Sequence, residues 1–258
     1  MRTGTYLDRI LEAHRARVAA DRRSFGTMLT ATDECGPTRG FREALLGAKG
    51  LAVIAEIKRR SPSKGDLLPA LDPAELARAY TRGRATCLSV LTDREFFGGS
   101  SDDLAAARAA VSLPVLRKDF TIDVRDVVDA RLMGADCVLL IAAALDDDDL
   151  ADCHLVATEL DMDALVEVHD EAEAERALAV GATLIGVNQR DLVTFEVDTD
   201  RASRVAPYLP PGVVRVAESG ITSPEDAHRL HDCGFHAVLV GEHLVTSPDP
   251  AAAVRALR

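Results

Sequence analysis

Glu56 and Lys58 close an otherwise apolar run, Leu51-Ala-Val-Ile-Ala-Glu-Ile-Lys58. In a strand, residues two apart share a face, so this spacing sets an acid beside a base. Leaving either charge buried and unpaired would be costly. Partly withdrawn from water, such groups shift each other's proton affinity and can serve as acid and base near neutrality. The competing reading is an ordinary solvated ion pair at a strand end. The next residues, Arg59-Arg60-Ser61-Pro62-Ser63-Lys64-Gly65, form a basic stretch punctuated by Pro and Gly. That composition suits a mobile loop closing over an anionic ligand.

Similar charges end other apolar runs. Lys118-Asp119 follows Pro114-Val-Leu-Arg, Glu167 ends Asp163-Ala-Leu-Val-Glu-Val, Asn188 with Arg190 just beyond ends the run at 183–188, and Glu218-Ser219-Gly220 ends the run at 213–219. Gly220, and Gly241 before Glu242 in the last run, let backbone N–H groups approach an anion, which is where parallel barrels seat phosphate. The opposite ends of the runs carry no comparable set. A lysine beside another lysine and a glutamate is expected to be tuned toward neutral pH. The residues alone therefore describe an enzyme acting on a small phosphorylated molecule by Lys/Glu acid-base chemistry, without metal or organic cofactor.

Eight apolar runs must position these groups: 51–57, 86–91, 114–118, 136–142, 163–168, 183–188, 213–219 and 237–241. Between them lie helical patterns, clearest at 72–81, 123–133, 147–160, 171–180 and 223–233, most opening on Asp, Ser or Pro. Near-continuous apolar strands alternating with amphipathic helices imply a covered parallel sheet. Eight units predict an α/β fold, a single closed (β/α)8 TIM barrel over residues 49–258. A doubly wound open sheet is the alternative, but no G-x-G-x-x-G follows the first strand. Residues 5–23 predict an amphipathic helix, Thr30 to Gly40 an irregular segment and Phe41 to Leu46 a short helix; together residues 1–48 form an N-terminal helical extension packed on the barrel.

The composition narrows the partners. With 30 basic and 42 acidic residues the net charge is −12, which disfavours nucleic acid. No apolar run nears the length of a membrane span. The charged, amphipathic N-terminus has no apolar signal core, so a cytoplasmic protein is expected. The five cysteines have no C-x-x-C spacing. Cys87 and Cys137 read as core fillers, and no disulfide framework or zinc site is indicated. Asp146 to Asp149 open a helix and read as its cap rather than as a metal site. Whether the chain is a monomer or a homodimer is open.

Several stretches together resemble the indole-3-glycerol phosphate synthase family of tryptophan biosynthesis. They are Ile54 to Lys64, Ser89-Val-Leu-Thr-Asp93 with Phe97, Pro114 to Phe120, Ala164-Leu-Val-Glu-Val-His169, Gly186-Val-Asn188 with Arg190-Asp-Leu192, and Ala217-Glu-Ser-Gly-Ile221. The resemblance implies a lyase that closes the indole ring of 1-(2-carboxyphenylamino)-1-deoxyribulose 5-phosphate with loss of carbon dioxide and water. It implies that Lys118 is the general acid at the ribulose carbonyl and Glu167 the general base for dehydration. Lys58 would bind substrate and stabilise charge, with Glu56 and Glu218 orienting the lysines and hydroxyls. Asn188, Arg190 and Ser219 fall at substrate contacts. Phosphate would rest on Gly220 and on Gly241-Glu242, aided by Ser61. Phe97, Phe120 and Leu192 would form the slot for the anthranilate ring.

Two positions depart from the family pattern. Gln189 stands where a second Asn is common and is expected to point away; His243 stands where Ser is common after Gly-Glu, and is expected either to cap the phosphate or, the favoured reading, to be a silent helix residue. A phosphoribosylanthranilate isomerase-like barrel would need a cysteine at the end of the first strand, where Glu56 and Lys58 stand. A catalytically silent phosphate-binding barrel would be expected to lose one of Lys58, Lys118, Glu167 or Glu218, and all four are present.

Overall fold

Alternation along each strand decides what the molecule can do. In β1 (Ala52–Ile57) the odd residues Val53, Ala55 and Ile57 pack outward in the larger apolar cluster, while Ala52 and Ile54 join the inner one. The same alternation runs through β4 (Cys87–Leu91), β5 (Val115–Lys118), β6 (Cys137–Ile141), β7 (Asp163–Val168), β8 (Leu184–Asn188), β9 (Val214–Glu218) and β10 (Ala237–Val240). A computed structural model describes residues 4–62 and 64–258. These eight strands close a parallel barrel in the order β1-β10-β9-β8-β7-β6-β5-β4. The chain is a TIM barrel, as its eight runs predict, and each strand ends within about one residue of its run, the usual scatter of boundaries. Cys87 and Cys137 lie in the inner cluster with Leu116, Leu139, Leu165 and Val216. Each such Leu removed from water contributes about 1.5–3 kcal/mol.

The helices that cover the barrel start where their caps stand. Asp72, Asp123, Asp170 and Ser223 each accept from a backbone N–H of the first turn of α4 (Pro73–Arg82), α7 (Val124–Leu132), α9 (Glu171–Ala179) and α11 (Pro224–Asp232). Asp146 does the same for Asp149 in α8 (Asp147–Glu159). Asp147 pairs with Arg176 at 2.6 Å. The acidic run is thus a helix start that complements the helix dipole.

The segment before β1 reaches both ends of the barrel. α1 (Tyr6–Ala20) opens with a Thr5/Asp8 capping box and buries Ile10, Leu11 and His14. α2 (Phe25–Ala31) and a 3-10 turn at Thr32–Glu34 occupy a stretch that reads as partly irregular, because Met28 alone is buried in α2 and no apolar periodicity marks it. α3 (Phe41–Leu46) sits at the N-terminal end of the strands. There Phe41 and Leu45 enter the inner cluster and the Arg42 N–H donates to Asp163 at 2.8 Å. Asp136, fully buried, accepts from the Arg39 and Val115 N–H groups at 2.8 Å each and from Arg108. This end does carry acids, against the expectation, but every one of these contacts is to a donor that satisfies it. No helix among the described residues is long and apolar enough to cross a membrane.

Candidate active site

At the C-terminal ends of β1, β5, β7, β8 and β9 the inward-facing positions change to charged or polar side chains. Glu56 follows Ile54, Lys118 follows Leu116, Glu167 follows Leu165, Asn188 follows Gly186 and Glu218 follows Val216. Lys58 stands just past β1. These side chains form one layer at the C-terminal mouth, the floor of a cavity of about 640 Å³. Lys118 Nζ donates to Glu167 Oε2 at 2.9 Å and lies 3.6 Å from Glu218 Oε2. Lys58 Nζ lies 2.6 Å from Glu56 Oε1. Asn188 donates from Nδ2 to Glu167 Oε1 at 2.9 Å and accepts the Arg190 N–H at 3.0 Å. Two glycines make the layer possible. A Cβ at Gly186 would collide with Glu218 Oε1, and one at Gly241 with Glu56 Oε1.

The charges in this layer do not balance by pairs. Burial alone would push the Lys118 ammonium down, but Glu167, Glu218 and Glu56 outweigh it and hold Lys118 above the ordinary lysine range. The expectation of a lysine tuned toward neutrality fails here because its neighbours are carboxylates rather than Lys58. Burial would raise Glu167, yet Lys118, His169 and Asn188 together hold it below the usual range. Glu218 goes the other way. Burial and the repulsion of Glu167 and Glu56 overcome Lys118 and push it up to about 8. The group poised near neutrality is therefore Glu218, which the sequence reading treats as an orienting residue.

The apolar wall has two sources. Phe97 and Phe120 lie with ring centroids 6.4 Å apart and, with Leu192, line the cavity. The other source, outside the expected site residues, is Tyr6, Leu7 and Ile10 of α1. Tyr6 meets Phe96 and Phe195 edge-on, at 5.7 Å and 5.3 Å. The signal was present, since Tyr6, Leu7, Ile10 and Leu11 make one helical face, but the sequence does not say which surface that face covers. His14 locks α1 there. Its Nε2 lies 3.0 Å from Asp93 Oδ2, and its ring meets Phe120 edge-on. Asp93 also caps α5 (Arg94–Phe97) by accepting from the Phe96 and Phe97 N–H groups. His14, Asp93 and Asp119 bring metal-ligand atoms within 4.8 Å of one another. The two carboxylates are already engaged, however: Asp119 accepts from Thr92 at 2.6 Å and from Arg117 at 2.9 Å, and Asp93 from the Phe96 and Phe97 N–H groups.

Ser219 and Gly220 both have left-handed backbone, φ 66° and 70°. For Ser219 this costs about 1–2 kcal/mol. A Cβ on Gly220 would stand 2.6 Å from Val197 Cγ1. Gln189 holds this turn. Instead of pointing away it is fully buried, and its Nε2 donates to the Ser219 carbonyl at 2.8 Å. His243 lines the cavity beside Gly241 and Glu242, at the start of α12 (Glu242–Val245). The basic loop is more committed than its composition suggests. Arg59 pairs with Asp103 and donates to the Leu71 carbonyl, and Arg60 donates to the carbonyls of Arg94 and Glu95. That leaves Ser61, Pro62 and Lys64 of the described loop residues facing the cavity. β2 (Arg60–Ser61) and β3 (Gly65–Asp66) pair antiparallel to shape this loop. Ser219, Gly220 and Arg190 also line the cavity, so the described structure brings the expected site residues to one mouth.

Comparison with known proteins gives a consistent result. A sequence model described as indole-3-glycerol phosphate synthase matches residues 7–257. A protein of that name from Mycobacteroides abscessus is 52% identical over 256 residues, covering 98% of this chain and 94% of the relative. One from Nocardioides sp. is 58% identical over 208 residues, covering 81% and 80%. Among solved structures, an N-acetylmannosamine-6-phosphate 2-epimerase from Clostridium perfringens superposes with a TM-score of 0.61 at 14% identity, covering 77% of this chain and 89% of that one. At that identity the likeness is one of fold.

Proposed function

The chain belongs to the indole-3-glycerol phosphate synthase family, and from that premise we propose that its mouth closes the indole ring of 1-(2-carboxyphenylamino)-1-deoxyribulose 5-phosphate, with Lys118 as the acid and Glu167 as the base. The observation that carries this assignment is the Lys118–Glu167 contact of 2.9 Å at the floor of an aromatic-walled cavity. The anthranilate ring fits between Phe97, Phe120 and Leu192. There it presents its carboxyl-bearing carbon to the ribulose carbonyl, a proximity effect that lowers the barrier before any proton moves.

Three carboxylates keep Lys118 charged at rest. As the ring carbon attacks, the carbonyl oxygen becomes an alkoxide, a far stronger base than an amine, and Lys118 gives it a proton. Carbon dioxide then leaves and aromaticity returns. For the dehydration, Glu167 removes the proton from the adjoining carbon while Glu218, which holds a proton near neutrality, supplies the one that departs with the hydroxyl. Lys58, held by Glu56, offsets the negative charge of the substrate. Asn188 fixes the Glu167 carboxylate, and Arg190 and Ser219 contact the substrate. The phosphate takes the N–H groups of the left-handed turn at Gly220 and of Gly241 and Glu242, with Ser61 closing from the loop. Cys87 and Cys137, at the other ends of their strands, offer no support for an isomerase using cysteine. The five free cysteines support a reducing, cytoplasmic setting.

The test is the appearance of indole fluorescence when the carboxyphenylamino-deoxyribulose phosphate is added to the purified chain. Turnover is expected in the wild-type protein. Binding without product would refute the assignment of Lys118 and Glu167.

A further inference from the structure

The proposed reaction is not proton-neutral. The substrate carboxylate leaves as uncharged carbon dioxide, so each turnover consumes one proton from water. Lys118 gives one proton to the carbonyl oxygen and Glu218 gives one to the departing hydroxyl, while Glu167 recovers only one from carbon. Glu167 can return its proton to Lys118 across 2.9 Å. One proton is still owed to the layer, whose acids are buried to within a few per cent.

A second opening lies behind Glu167. His169, two residues on along the same strand face, lies just past β7, and its Nε2 is 3.6 Å from Glu167 Oε1. That nitrogen is buried and has no hydrogen-bond partner among the described residues. On the other side of the ring, Nδ1 lies 3.0 Å from Glu173 Oε2 in α9. His169 and Glu173 line a separate cavity of about 360 Å³, divided from the substrate cavity by Leu7 and Leu192, which line both. The other charged groups around this cavity are Asp170, Glu171, Asp191, Arg201 and Arg204. Glu167 faces the substrate cavity and His169 faces the other.

We propose that His169, backed by Glu173, is the inlet for the proton that each turnover consumes, delivering it to Glu167 from the side away from the substrate. The imidazolium passes its Nε2 proton to Glu167 Oε1, from which it reaches Lys118 and then Glu218. The neutral ring, its Nδ1–H held by Glu173, regains a proton from water in the second cavity. The 3.6 Å gap closes to a hydrogen bond with a shift under about 1 Å, within ordinary thermal displacement. Burial alone would lower the His169 pKa, but Glu173 and Glu167 outweigh both it and Arg201, and raise it above the ordinary value. This inlet lets proton supply continue while the mouth is closed over substrate.

The inference rests on the proposed reaction, and kinetics on the full chain separate the two. In the wild-type protein kcat is expected to fall as rising pH titrates the imidazolium, above the ordinary histidine range. His169→Gln should lower kcat roughly tenfold with KM within about twofold, and should leave only the falling limb that belongs to Glu218, near pH 8. Imidazole added to His169→Gly should restore turnover in proportion to its protonated form. Glu173→Gln keeps a side-chain oxygen to accept the His169 N–H but removes the charge, and should move the His169 limb to lower pH without abolishing it. If His169→Gln folds, judged by its thermal midpoint, and keeps the wild-type kcat and pH limb, the inlet is refuted. If it does not fold, an unmoved limb in Glu173→Gln refutes it. No product from the wild-type chain would instead refute the reaction.

Discussion

The two ends of the barrel both bury acids, and they treat them oppositely. At the N-terminal end Asp136 accepts from two backbone N–H groups and from Arg108, and it serves to fasten residue 39 to β5. At the C-terminal end Glu56, Glu167 and Glu218 crowd around Lys118, and Glu218 Oε1 is left without a partner among the described residues. The first arrangement is satisfied by its donors. The second has more acid than base in a dry layer, so a proton has no single best position. Burial does not distinguish structure from chemistry here; the surplus of carboxylates does.

The comparison predicts opposite responses to removing a charge. The largest effect is expected at the crowded end. Lys118→Met should lower kcat by about 10³-fold or more with little change in KM, read by the fluorescence assay; a fall under about tenfold would refute its role as the acid. At the satisfied end, Asp136→Asn should leave kcat near wild type while lowering stability by about 3 kcal/mol, because Arg108 and two N–H groups lose a charged acceptor. A denaturant midpoint measures this. His14→Ala, at the joint between α1 and the aromatic wall, should cost about 1–2 kcal/mol and raise KM more than it lowers kcat; an unchanged KM would detach α1 from substrate binding. The last change should carry the unusual sign. The folded state keeps the Glu218 proton up to about pH 8, whereas the unfolded chain releases it in the ordinary carboxyl range. Stability therefore falls as pH rises across that window. Glu218→Gln should remove the slope, so that its stability relative to wild type rises with pH from the ordinary carboxyl range to about pH 8, while turnover slows.

Much of this was legible before the fold was known. The eight runs specify the strands because buried parallel strands leave little else in their composition, and period-two spacing places Glu56 beside Lys58 on the inner face. Three things were not legible. Asp136 and Asp163 open their runs with no visible role, since nothing local shows that residues 39–46 would return to cover them. The proton affinity of Lys118 depends on Glu167 and Glu218, 49 and 100 positions away in sequence, whose distances come only with barrel closure. Gln189 lies inward because its amide is the donor that a left-handed Ser219 needs, and no sequence spacing encodes that contact.

The position of α1 has a thermodynamic corollary. Tyr6, Leu7 and Ile10 are at once part of the helix that His14 fastens down and part of the surface that touches ligand. Occupancy of the cavity and docking of the helix are therefore linked, and linkage is reciprocal. Whatever affinity the substrate draws from those three side chains it returns as protection of the α1 amides against hydrogen exchange. The N-terminal segment is thus a gauge of site occupancy.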